Sequence, residues 1–232
     1  GTLLAEGTPA APIAFTSLKD DSRAGDTNGD GAGTTPAPGD WNSITFHPSS
    51  KGRIAYASIE YGGGGYYYYW TAGLVRSFSS DVALDHVTLG SSALNGLYAQ
   101  NVSVAVTNST IRNNVSWGLF YNGLDPVLPL TVSDNVFTAT GGGAGLLRFD
   151  GQAHGAVVFR GNRTSDGRSG FTLGGTVNGE VQWDNQELVL FTGDLLTIGP
   201  GATLRLAPGS VVKSTNVGRL GLVQGAIAVD GT

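Results

Sequence analysis

The feature that most limits what this chain can fold into is a short apolar pair, two residues separated by one, that keeps returning with an asparagine or aspartate close behind it. It reads Val82-x-Leu84, Val104-x-Val106, Leu130-x-Val132 and Val157-x-Phe159, followed by Asp85, Asn108, Asp134 with Asn135, and Asn162. Successive pairs stand 22, 26 and 27 residues apart. A second marker, glycine before an apolar residue, recurs at Gly73-Leu74, Gly96-Leu97, Gly118-Leu119, Gly145-Leu146 and Gly170-Phe171, at steps of 23, 22, 27 and 25. A fixed period of this size belongs to a solenoid, whose single coil cannot bury its apolar face but whose stacked coils can. Each unit has room for short alternating strands and none for a helical crossover. Asn, Asp and Gly tolerate the left-handed bends that its corners need.

The spacing predicts an all-β fold, a right-handed single-stranded parallel β-helix of 22–27-residue coils that spans residues 1–232 as one domain. Inward Val, Ile, Leu and Phe make one long core. The coils are expected to run on through Trp183 into "LVLFTGDLLTIGPGATLRLAPGSVV", with Leu204, Leu206, Val211 and Val212 facing in. A β-sandwich is the rival, because its strands also recur every 8–12 residues or so. Its hairpins call for Asn-Gly turns, and Asn-Gly occurs only at Asn28, Asn95, Asn122 and Asn178. Composition favours the solenoid too: 37 glycines, 13% charged residues and no stretch of good helix formers.

Other classes are excluded more simply. A net charge of −5 leaves no broad basic face for a phosphate backbone, so nucleic acid is not an expected partner. No apolar run is long enough for a membrane span, and no signal peptide is recognisable. Beginning at Gly1 without Met, the chain reads as a mature or excised piece of something longer. The absence of cysteine removes disulfides as a source of stability.

Against this background "LKDDSRAGDTNGDGAGTTPAPGDW" stands out, with acidic residues and glycines crowded into a segment that can be neither helix nor strand. Asp26-x-Asn28-x-Asp30-Gly31 is the first half of a calcium-wrapping loop, in which alternating oxygen ligands converge when glycine lets the backbone turn. The seventh position supplies the carbonyl of Ala32. The twelfth, where a bidentate Glu is normal, is Ala37, and no flanking helices are visible, so this is not an EF-hand. Asp20 and Asp21 upstream and Asp40 downstream are candidates to complete an oxygen-only shell that suits Ca²⁺ rather than Zn²⁺. The plain alternative is a solvated Gly/Asp surface loop. Either way the segment 19–40 reads as an excursion from one coil that returns at Trp41.

A second excursion is expected at 61–70, within "EYGGGGYYYYW", because about five residues are inserted there relative to neighbouring coils. Tyr66, Tyr67, Tyr68, Tyr69 and Trp70 offer a face for sugar rings or a neighbouring molecule, or else an aromatic lid. No catalytic residue is expected. His154 lies in "QAHGAV", no Arg-x-Lys occurs, His47 and His86 stand alone, and Lys19 and Arg23 beside the acidic loop suit charge balance. The sequons at Asn101, Asn108, Asn114 and Asn162 coincide with repeat corners, where asparagine already has a structural reason.

Residues 1 to about 61, where "PIAFTS", the acidic loop and "PGDW" follow in order, resemble secreted and cell-surface bacterial parallel β-helix repeat proteins with a D-x-N-x-D-G calcium loop. Over 81–175 the likeness is to β-helix repeats in general. The resemblance implies calcium in the loop and an extracellular or cell-surface location. It also implies that "LLTIGPGATLRLAPGSVVK" at the end of the chain and "GTLLAEGT" at its start belong to one continuous passage. A tandem array, or head-to-tail stacking of copies in a filament or stalk, is therefore expected. The expected function is a structural or adhesive module stabilised by calcium. The alternative is a polysaccharide-binding or polysaccharide-degrading domain, with an extracellular glycan as partner.

Overall fold

The computed structural model describes residues 1–65, 71–78, 81–123, 129–138, 140–149, 155–165, 170–214 and 218–230, and every structural statement below concerns those residues. They contain no helix. Their strands build two sheets, of 13 and 9 strands, from coils about 26 residues long. Pairing between strands is parallel throughout, and the one antiparallel contact is an isolated bridge between Thr8 and Ala11. The molecule is a β-solenoid, and the sandwich is excluded.

The apolar pair is what stacks. One inward column runs Leu3, Gly52, Val82, Val104, Leu130, Val157, Val181, Leu204 and Ile227, each paired with the next. Two residues on, a parallel column runs Ala5, Ile54, Leu84, Val106, Val132, Phe159, Trp183 and Leu206. Alternation along each strand sends these side chains to the inside, and nearly all are fully buried in one continuous cluster. The second column carries its bulkiest side chains, Phe159 and Trp183, in its later coils. Phe159, Phe171 and Trp183 meet with ring centroids 5.1 to 6.0 Å apart. Gly145 makes room for Phe171, since a Cβ there would lie 2.5 Å from its ring.

Register corrects two details. The glycine marker slips by one residue at both Gly73, which pairs with Asn95, and Gly145, which pairs with Leu119. Val211 and Val212 are not buried as expected but 42% and 38% exposed. Val212 continues an inward column above Leu190 with no further strand stacked upon it, and Val211 follows Val189 on the outward side.

Corners explain the polar followers. Tyr56, His86, Asn108, Asp134 and Gly161 occupy equivalent positions in successive coils, and all have φ between 48° and 63°. This left-handed bend suits Asn, Asp and Gly. Tyr56 and His86 are less usual there, and their rings stack at 4.6 Å. Immediately inside the corner lies a buried polar column, Ser109, Asn135, Asn162 and Asn185. Asn135 Oδ1 accepts the Ser109 N–H at 2.9 Å, Asn162 Oδ1 that of Asn135 at 3.2 Å, and Asn185 Oδ1 that of Asn162 at 2.8 Å. The amides of Asn135 and Asn162 donate in turn to the carbonyls of Val106 and Val132. Each coil thereby satisfies the backbone of the one before it. Asn114 is buried as well and accepts from the Ser92 N–H. Two of the four sequons are therefore interior positions committed to hydrogen bonds.

Candidate metal centre

The first excursion leaves the solenoid after strand Ile13–Phe15 and returns at strand Ile44–Phe46, with turns and bends but no strand between them. Its two ends are tied together. Asp40 accepts hydrogen bonds from Ser17 Oγ at 2.6 Å, Lys19 Nζ at 2.7 Å and the Ala37 N–H at 3.0 Å. Asp20 accepts from Thr16 Oγ1 at 2.6 Å and Ser22 Oγ at 2.5 Å. Burial works against the charge on both carboxyls, yet these donors outweigh it and hold them below the usual carboxylate range. Asp40 thus closes the neck of the loop with Lys19 as its ion-pair partner, and Asp20 braces the outgoing limb beside it.

The returning segment docks on "GGGG". Gly63 N–H donates to the Asn42 carbonyl at 2.7 Å, Gly64 N–H to that of Trp41 at 3.1 Å, and Gly39 N–H to that of Gly62 at 3.1 Å. A Cβ on Gly62 would sit 2.7 Å from the Trp41 indole, and one on Gly64 would sit 2.4 Å from the Gly39 carbonyl oxygen. Trp41 Nε1 donates to the Glu60 carbonyl, while the Glu60 carboxylate pairs with Arg112. The sequence displayed both "PGDW" and the glycine run, but nothing local says that one is the seat of the other. Tyr66 to Trp70, the proposed aromatic face, and His154 lie outside the described residues.

At the tip of the excursion Asp21, Asp26 and Asp30 converge, each offering an oxygen within 4.8 Å of the others. Asp26 organises the turn: Oδ1 accepts the N–H groups of Gly29 and Asp30, and Oδ2 that of Gly31. Thr34 Oγ1 and Asn28 Nδ2 donate to Asp30 Oδ2 at 2.6 and 2.9 Å. Asn28 Oδ1 accepts weakly from the Asp30 N–H at 3.4 Å. Asp21 is different. Its Oδ1 is buried without a hydrogen-bond partner. Local burial, then the charges of Asp26, Asp30 and Asp20, push its carboxyl above the usual range. Of the seven positions singled out by sequence, the fold gathers Asp21, Asp26 and Asp30 with Asn28 beside them and Ala32 on the same turn. It assigns Asp20 and Asp40 to the neck.

An orphaned carboxylate oxygen within an all-oxygen cluster fits a hard divalent cation. Asp21, Asp26 and Asp30 would hold it, with Asn28 beside them. The remaining histidines have other settings. His86 stacks on Tyr56 and contacts Asp85 at 2.9 Å, and His47 is exposed at a turn.

Comparison with family models, curated proteins and solved structures gives no match.

Proposed function

We propose that this chain is a structural or adhesive extracellular solenoid module whose first excursion is ordered by Ca²⁺. The observation that carries this reading is Asp21: a buried, unpaired carboxylate oxygen facing repulsion from the carboxylates of Asp26, Asp30 and Asp20, in a loop otherwise well hydrogen-bonded. A divalent ion turns that repulsion into attraction and supplies the missing partner. The coil body supports a scaffold role, since its interior is continuous and its corner polar groups are spent on one another. The bacterial, cell-surface setting rests on the likeness of residues 1–61 described above.

A ligand at 100 times its Kd adds roughly 2.7 kcal/mol, about 5–10 °C of melting temperature for a chain of this size. Chelation by EDTA should therefore lower the melt by about that much, and restored Ca²⁺ should recover it. An identical melt in EDTA and in Ca²⁺ would remove the metal from the account.

A second reading, binding of an extracellular glycan, has one observation in its favour. A groove of about 820 Å³ runs beside the neck, lined by exposed Leu18, half-buried Phe15, Thr16, Ser22 and Arg23. Apolar surface beside donors is what a sugar face needs. A glycan array read with the intact chain separates the two readings, and release of shorter saccharides would point to an enzyme instead.

A further inference from the structure

Besides Asp21 Oδ1, three buried side-chain polar atoms among the described residues lack a hydrogen-bond partner: Trp183 Nε1, Asn185 Nδ2 and Ser210 Oγ. They are not scattered. Trp183 and Asn185 both point inside at the end of strand Glu180–Asp184, with exposed Asp184 between them. Trp183 pairs with Leu206 and Val189 with Val211 on the next coil, so Asn185 lies in the stretch that faces the turn from Ala207 to Ser210. All three residues therefore lie on two adjacent coils, around the same corner.

The cause is the end of the asparagine column. The N–H of each earlier member donates to the asparagine Oδ1 one coil further on, and the turn that follows on the next coil, Ala207 to Ser210, holds no asparagine to serve Asn185 in the same way. Asn185 is also the one member of the Asn135, Asn162, Asn185 series whose Nδ2 makes no bond to a strand carbonyl, as those of Asn135 and Asn162 do. Trp183, the bulkiest side chain of its column, sits beside it against Phe159 and Phe171.

We propose that one internal water molecule caps the column, accepting hydrogen bonds from Trp183 Nε1 and Asn185 Nδ2. Both atoms are pure donors, so the guest must be an acceptor. No cationic side chain is among the three orphans, and aromatic rings wall one side, so a bare anion would be poorly solvated there. Water accepts twice and returns its own protons to Ser210 Oγ or a neighbouring carbonyl, and a buried water with two to four polar partners is an ordinary component of a fold. Immobilising one water costs less than leaving two buried donors bare. The cap does for Asn185 what another asparagine would have done one coil later.

A crystal structure of the intact chain at a resolution that shows ordered solvent tests this, together with the NMR signal of the Trp183 indole proton. The expected result is a fully occupied solvent peak within hydrogen-bonding distance of both nitrogens, and a cross-peak between the indole proton and a long-lived water. Trp183→Phe should weaken or abolish the peak. The proposal is overturned if no peak is present, if the indole instead donates to a protein carbonyl, or if a bromide soak places an anomalous peak at the position. A peak that persists unchanged in Trp183→Phe would overturn it too.

Discussion

The coil body and the first excursion solve the same problem in opposite ways. Both bring identical polar groups together: asparagines in the body, aspartates in the loop. Asn135, Asn162 and Asn185 carry donor and acceptor on one side chain, so stacking like on like completes each of the inner bonds. Asp21, Asp26 and Asp30 are acceptors alone when ionised, so bringing them together leaves an oxygen without a partner and charges that repel. An amide column can be self-sufficient; a carboxylate cluster needs something from outside.

The largest effect expected from this contrast lies in the body. Asn162→Ala strips acceptors from the Asn135 N–H and amide and donors from the Val132 carbonyl and Asn185 Oδ1. With about 1–3 kcal/mol for each buried group left unpaired, a loss of roughly 3–5 kcal/mol is expected, read as a much lower denaturation midpoint. A loss under about 1 kcal/mol would mean that the column is ornament.

Next comes the seat of the excursion. Gly64→Ala places a methyl 2.4 Å from the Gly39 carbonyl oxygen, a backbone atom that cannot swing aside. Overpacking of this kind costs about 1–3 kcal/mol. The damage should be local: limited proteolysis is expected to cut within residues 19–40 much sooner than in the parent chain, while the coils persist. Unchanged cleavage would show that the loop does not depend on its seat.

These two regions also differ in how far the sequence disclosed them. The stacked pair was legible because period-two alternation fixes which residues point inward, and Val82, Val104, Leu130 and Val157 duly fall in one register. The glycine marker was a poorer guide because glycine serves several ends here. Gly145 yields space to a ring and Gly64 admits a carbonyl, and neither need is written locally. Of the acidic residues, the loop motif pointed to Asp26 and Asp30. The division between Asp21 at the tip and Asp20 and Asp40 at the neck depends on Thr16, Ser17 and Ser22 being within reach, which only the folded neck decides. The asparagine column is partly visible in sequence, but tolerance of a left-handed bend does not account for Asn135 and Asn162, which lie just inside the bend and are held there by hydrogen bonds.

A smaller effect concerns acid. Burial works against the charge on Asp85, but hydrogen bonds from Thr107, Asn108 and His86 outweigh it and hold its carboxyl below the usual carboxylate range. A lowered folded-state value contributes stability that is present above the ordinary carboxylate range and fades as pH falls through it. Asp85→Asn should therefore lower the urea midpoint near pH 6 and make it less sensitive to acidification towards pH 3. Equal pH sensitivity in parent and variant would remove Asp85 from the acid response.

The most direct test of the central claim is thermal unfolding of Asp21→Asn, measured once with excess Ca²⁺ and once with EDTA. Without the ion the substitution removes a repelled charge, and the variant should melt above the parent. With the ion it removes a ligand, and the variant should melt below it. A reversal of sign between the two conditions is the predicted result; a shift of the same sign in both would contradict a cation held by Asp21, Asp26 and Asp30.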